Sequence, residues 1–372
     1  MMRWLGCGFG TLLCALVCVE GARGAFAYRD LYTVGLPPGF NYFSVNENNL
    51  EGHRVAAGGQ IVGWGGGPAD GGSSHAVVWT TAAPNGIDLT PVAHVPARAN
   101  STNGIQQVGF GNIDTSWRAL LWNGSAASLV NLHPAGYSES AAYGTNGSQQ
   151  VGHGRIADGP RRALLWNGSA GSVVDLDPGF SESRAYDTNG TQQVGYAAVN
   201  FLPHAFLWSG SASSYVDLHP TGFTRSWAYG LSESQQVGWG RGTATGNNFH
   251  ALLWSGSAGS AVDLNPAGFT VSYAFGVGAG GQVGWGTGPA TGDNDHALYW
   301  NGSAGSFVDL HASLPASFVD SYAHTIEGNK IYGVAMDTLS YHHAIVWELP
   351  EPGSFSLMGA GAVVATLRRR RR

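Results

Sequence analysis

The 372-residue chain has three cysteines, and all of them (Cys7, Cys14 and Cys18) fall within its first 27 residues. The remainder therefore offers no disulfide, no thiolate nucleophile and no cysteine-based metal site. Charge is scarce as well: 11% of residues are charged, and Lys330 is the sole lysine. With Arg3, Glu20, Arg23 and Arg368–Arg372 set aside, 18 basic and 24 acidic residues become 11 and 23, a net charge of about −12. Such a surface repels phosphate backbones, which argues against nucleic acid as a partner. No G-x-S-x-G elbow and no H-E-x-x-H motif occurs, so neither familiar signature of a serine hydrolase or zinc protease is present. What the chain does have is 57 glycines, 13 tryptophans and 43% apolar residues. A body of roughly 320 residues can bury a core without covalent staples.

The two ends differ from the body. Residues 1–27 carry Arg3, an apolar stretch from Leu5 to Val19, and Ala25-Phe26-Ala27. This is the layout of a secretory signal peptide with an A-x-A cleavage site at Ala25 and Ala27. Residues 348–372 run from Pro350-Glu351-Pro352 through the uncharged segment Gly353–Leu367 to Arg368, Arg369, Arg370, Arg371 and Arg372. As a helix the uncharged segment would be roughly 22 Å long. Flanking residues would have to make up the difference to a hydrocarbon core of roughly 30 Å. The arginines would be held on the cytoplasmic side. The expectation is a C-terminal hydrophobic anchor helix on a chain whose body has crossed a membrane.

Between the ends the sequence repeats. "HALLW"-like units end at Trp79, Trp122, Trp166, Trp208, Trp254, Trp300 and Trp347, spaced 42 to 47 residues apart. A Val-Gly step precedes each, at Gly63, Gly109, Gly152, Gly195, Gly238 and Gly284, with Gly333 in the diverged "IYGVA". Nine residues beyond the first six tryptophans stands Asp88, Asn131, Asp175, Asp217, Asp263 or Asp309. Each unit reads as four short strands joined by turns such as "NGS", and four strands in about 45 residues is the period of a β-propeller blade. The seventh unit lacks its "DL" strand, while "YRDL" stands unpaired near the start. The expected fold is therefore all-β. It is a seven-bladed β-propeller of four-stranded antiparallel blades over residues 28–347, closed by the N-terminal strand, which removes two free sheet edges.

The "HAFLW" unit with its upstream "QQVG" resembles the HAF-type extracellular repeat, and the resemblance covers nearly all of residues 28–347. Units two and three depart from it, with Arg118 and Arg162 in place of His. The tail resembles the PEP-CTERM sorting signal. That resemblance implies an exosortase-type transpeptidase as a partner, transient anchoring in a bacterial inner membrane through the C-terminal segment, and final placement at the cell surface or outside the cell.

The repeated histidines, His75, His204, His250, His296 and His343, invite a metal reading. Arginine at the same position in two units cannot ligate a metal but can donate hydrogen bonds. The expectation is a structural bridge from His or Arg to Asp88, Asp217, Asp263, Asp309 and their equivalents, with no metal and no cofactor. Repeated acids in equivalent settings make poor acid–base pairs, which need environments that separate their pKa values. Catalytic groups would instead come from the variable loops, which hold Asp70, Asp114, Asp158 with Arg155 and Arg161, Asp293 with Asp295, and Asp337. "TGDNDH" at 291–296 is a calcium candidate without the spacing of an EF loop. Trp64, Trp239 and Trp285, each following a Val-Gly step, form a candidate ligand platform for sugar rings, with inter-blade packing as the competing role. The N-G-[ST] sites read as turn chemistry. These features lead to the expectation of an exported structural or binding module without catalytic activity. A propeller binding exopolysaccharide or surface glycan is the first alternative, and a polysaccharide hydrolase or lyase is the second.

Overall fold

The computed structural model describes residues 26–30, 42–44, 55–66, 73–80, 85–90, 96–278 and 280–350. Residues 1–25 with Ala25, Glu351, Pro352, the tail with Arg368–Arg372, and Asp70 lie outside the described residues. Among the described residues no helix is long and apolar enough to cross a membrane.

Seven antiparallel sheets follow one another along the chain. Blade 3 shows the pattern, with inner strand Glu139–Thr145, second strand Gln150–Arg155, third strand Arg161–Trp166 and outer strand Val174–Asp175. Alternating strand directions put the tight turns between strands one and two, and three and four, on one face. The connections between strands two and three, and from each outer strand to the next blade, lie on the other, here called the long-loop face.

Blade 7 consists of Phe318–Glu327, Lys330–Asp337 and His342–Glu348, and its fourth strand is Ala27–Asp30. Tyr28 pairs with Trp347 and Asp30 with Ile345. Phe26 is buried in the same core cluster as Ile345 and Trp347, its ring 6.3 Å from that of Tyr299. A chain cut after Ala27 would lose both that anchor and the Ala27–Glu348 pair. In blade 1 the inner edge is split into Tyr42–Ser44 and Ala56–Ala57, both paired with Gln60–Gly66. Blades 7 and 1 meet where Ala56 and Ile61 pack on Tyr332 and Val346.

The repeat motifs have physical reasons. Six inner strands carry a β-bulge, where the ladder register steps over Asn100, Tyr143, Tyr186, Tyr229, Phe275 and His324. A bulge bends its strand and re-aims the extra side chain, and these six side chains are all buried. The bulge drives the preceding carbonyl over the second strand. A Cβ on Gly152 would sit 1.9 Å from the Ala141 oxygen, and one on Gly238 would sit 2.0 Å from the Trp227 oxygen. That close approach is why the Val-Gly step needs glycine.

Blades are joined by polar as well as apolar contacts. Ser183 Oγ accepts the Ala163 N–H of the preceding blade at 2.9 Å, and Ser226 does the same for Ala205. Gln150 Oε1 accepts the Gly168 N–H within its own blade at 2.8 Å, while its Nε2 donates to Gln106 of blade 2 at 3.2 Å. Six of the repeat tryptophans, Trp122 through Trp347, are fully buried.

Candidate functional site

The repeated histidines lie where the third strand meets the outer one. His75 Nδ1 is 2.7 Å from Asp88 Oδ2, His204 is 2.9 Å from Asp217, His250 is 2.7 Å from Asp263 and His296 is 2.8 Å from Asp309. His343 reaches Asp30 of the closing strand at 2.8 Å, and Arg162 reaches Asp175 at 2.9 Å. Blade 2 differs. Arg118 donates to the Ile113 carbonyl and pairs with Asp114 at 3.7 Å, while Asn131 takes the His133 N–H. The other oxygen of Asp217, Oδ1, caps the His219 N–H, so the bridge also fixes the turn after it. Among the described residues no group of three His, Asp or Glu side chains gathers as a metal site, and Asp293 is exposed.

After the Val-Gly steps of blades 4 to 6, Tyr196, Trp239 and Trp285 meet Trp227, Tyr273 and Tyr322 on the inner strands of the next blades, which builds an aromatic track on the long-loop face. Trp239 lies 4.0 Å from Trp227, 5.0 Å from Phe249 and 5.4 Å from Tyr273. It is 5% exposed, so its faces are occupied by protein. Trp285 stacks on Tyr273 at 4.4 Å and meets the edge of Tyr322 at 5.4 Å, yet remains partly open. Trp64 lies apart from these two, with the Arg98 guanidinium 4.4 Å over its ring. Of the three tryptophans singled out in the sequence, Trp239 and Trp285 are neighbours in this track and Trp64 is not part of it.

At the end of the track two carboxyl groups from different blades come together. Asp295 sits at the mouth of the third strand of blade 6, and Asp320 on the inner strand of blade 7. Asp320 Oδ1 accepts the Asp295 N–H at 2.9 Å, and Asp295 Oδ2 accepts the Tyr322 hydroxyl at 2.8 Å. Burial pushes the Asp295 carboxyl up from its ordinary value. The Tyr322 hydrogen bond opposes this, and the Asp320 charge adds to it. Tyr322 itself is raised, chiefly by burial and then by Asp295, and Tyr273 is pushed up to about 12, for the same two reasons. Asp295, Asp320, Tyr322 and Trp285 are all half-buried and reachable from solvent. Chemically, this arrangement sets a carboxyl whose proton affinity burial raises beside a second carboxyl, next to a partly open indole.

Sequence reasoning singled out Asp295 but missed Asp320 and Tyr322. Both stand in the inner-strand repeat, where Asp320 precedes the recurring Ser321. Val271 and Arg225 fill that position in blades 6 and 5, but Glu139 and Glu182 fill it in blades 3 and 4, so a comparison of the units would not have singled out the acid. The other loop acids do not join it. Asp114 pairs with Arg118, and Asp337 caps the Leu339 and Tyr341 N–H groups.

No family model matches the chain, and no curated protein matches it in sequence. Neither the HAF repeat nor the sorting signal is identified by comparison. Solved structures do match. The oligogalacturonate lyase of Vibrio parahaemolyticus superposes with a TM-score of 0.56 at 9% identity, covering 88% of this chain and 98% of that one. The β-propeller domain of the Trilobed protease from Pyrococcus furiosus gives 0.57 at 8%, over 83% and 93%. Acylaminoacyl peptidase gives 0.54 at 9%, over 83% of this chain and 51% of the peptidase, so the chain spans about half the length of that enzyme. At these identities the likeness shows the fold. The matched propellers include a lyase and peptidases, which overturns the expectation of a structural or binding module without catalysis. The exosortase-processed surface role finds no support among them and is withdrawn with it.

Proposed function

We propose that this chain is a carbohydrate-active propeller that stacks a sugar ring of a polysaccharide on the partly open Trp285 of the long-loop face and cleaves the polymer beside Asp295 and Asp320. The observation that carries the reading is the pairing of those two acids from adjacent blades, one with its carboxyl pushed up by burial. Separated acid and base environments are what glycosidic cleavage needs. Asp295 would give its proton to the departing glycosidic oxygen. The Asp320 carboxylate would take one from the water that attacks the anomeric carbon, so that one bond to oxygen forms as the other breaks. The Trp285 face, packed on Tyr273, offers the flat apolar surface on which a sugar ring stacks. The likeness to oligogalacturonate lyase supports a propeller as a suitable frame, and the apolar leader supports delivery across a membrane to where polysaccharide is met.

The test is incubation of the purified chain with neutral and uronate-rich polysaccharides, scoring new reducing ends and unsaturated ends. Asp295→Asn should lower cleavage by roughly 100-fold or more while binding stays within about twofold. Trp285→Ala should weaken binding about fivefold, equivalent to roughly 1 kcal/mol of lost stacking. Absence of cleavage across the panel, or an Asp295→Asn variant as fast as the parent, overturns the proposal. Unsaturated rather than hydrolysed ends would assign β-elimination in place of hydrolysis.

A further inference from the structure

We infer that the junction of blades 3 and 4 on the same face is an anion-reading subsite, and that the polysaccharide recognised there is acidic. This rests on the carbohydrate reading above and deepens it by naming the substrate class.

The chain is acidic overall, with a formal net charge of −6, yet three guanidinium groups gather at this junction. Arg161 Nε is 2.9 Å from Glu139 Oε1, Arg155 Nε is 3.4 Å from the same oxygen, and His153 Nε2 is 4.0 Å from it. Arg184, on the inner strand of blade 4, pairs with Glu182 at 3.1 Å and acts electrostatically on His153. Burial, then Arg184, Arg161 and Arg155 in that order, hold the His153 imidazole well below its ordinary value, so it is neutral at pH 7. The cluster thus counts three positive groups against Glu139 and Glu182.

Two observations point beyond internal pairing. His153 Nδ1 is buried without a hydrogen-bond partner, and Arg155 Nε meets Glu139 only at 3.4 Å, without hydrogen-bond geometry; buried polar atoms left so call for an explanation. Roughly a third of the Arg155 and Arg161 side chains is open to solvent, at 35% and 32%. One Glu139 carboxylate cannot occupy ten guanidinium N–H donors. Planar guanidinium forks match carboxylate and sulfate oxygens. The corresponding second-strand and inner-strand positions of blades 4 and 5 are held by Tyr196 and Trp227, and those of blades 5 and 6 by Trp239 and Tyr273. Blade 5 also pairs Arg225 with Arg241, but the Arg241 guanidinium lies over the Phe249 ring at 4.9 Å, so a cluster of arginines gathered around a shared carboxylate belongs to the blade 3–4 junction. A uronate carboxylate and a sugar sulfate ester share the chemistry this cluster would recognise.

The experiment is calorimetric titration of the full chain with polygalacturonate, a sulfated galactan and a neutral glucan of similar length. The parent should bind one of the acidic polymers at least about tenfold more tightly than the glucan, and lose that preference as salt rises. Tighter polygalacturonate assigns the carboxylate, and tighter galactan assigns the sulfate. The double variant Arg155→Gln/Arg161→Gln should abolish the preference and leave glucan binding in place. Glu139→Gln, which removes the competing internal carboxylate, should tighten acidic-polymer binding several-fold, a gain that a damaged fold cannot produce. Equal affinity for the three polymers, or no change in any variant, overturns this inference and leaves the cleavage proposal standing. If no polymer is bound at all, both fall.

Discussion

Phe26 provides a sharp test of how the ring is sealed. Its ring is 9% exposed and packs into the blade 7 core near Tyr299, with Ile345 and Trp347 in the same cluster. It is supplied from the far end of the chain. Truncating a buried phenylalanine costs about 3–5 kcal/mol, and the residual exposure places Phe26→Ala toward the lower end, about 3 kcal/mol. Tyr28 lies on the strand that Phe26 precedes and is 36% exposed, so Tyr28→Ala should cost no more than about 0.5 kcal/mol. The comparison holds strand propensity and chain ordering nearly constant, so the difference isolates burial. Denaturant titration of residues 26–350, followed by tryptophan fluorescence, measures both variants. A further variant, with residues 26–30 deleted and the same strand grafted after Glu348 through a turn copied from Asn301–Ser306, should recover most of the stability lost by deletion alone. Equal costs for the two alanine variants, or no recovery on grafting, would refute closure by the N-terminal strand as a stabilising element.

Other perturbations have definite outcomes. His324 is buried and its imidazole is lowered to about 4 from 6.5. Between those pH values the unfolded chain binds more protons than the folded one. The stabilisation is complete above pH 6.5 and is lost as pH falls toward 4, by about 3 kcal/mol. His324→Phe, which copies Phe275 in the neighbouring blade, should flatten that acid limb in urea titrations run from pH 7 to 4; an unchanged slope sinks the assignment. Gly152→Ala would place a Cβ 1.9 Å from the Ala141 oxygen, whereas Gly171 has open space. The first variant should lose about 3 kcal/mol or more and the second less than about 0.5, and similar denaturation midpoints would contradict the close-approach argument. A chain beginning at Tyr28 should unfold at lower denaturant than one beginning at Phe26, and undiminished stability would refute the anchoring role of Phe26.

Much of the architecture was readable from spacing alone. The nine-residue step from Trp208 to Asp217 sets strand, turn and strand, and the missing "DL" after Trp347 matched by Asp30 near the start accounts for seven blades. The His–Asp contacts needed the register, which only the folded sheet supplies: Phe206 opposite Asp217 places His204 within reach of the carboxylate. Blade 2 broke the pattern because its outer strand offers the neutral Asn131 while Asp114 gives Arg118 a carboxylate on its own hairpin; Arg162, equally long, keeps the bridge to Asp175. The bulges could not be read at all, since nothing in "SRAYDTN" says which residue is skipped by its partner. Yet they decide where Tyr186 and its equivalents point, and why the Val-Gly step must be glycine.

The sequence by itself determined the repeat length, the strand count and the circular offset, because those follow from periodic burial along one chain. Only the tertiary structure decided which unique side chains share a site. Asp295 and Asp320 are 25 residues apart and belong to different blades, and Arg184 acts on His153 across another blade junction. Contacts between blades depend on the twist and stagger of adjacent sheets, which no local pattern encodes.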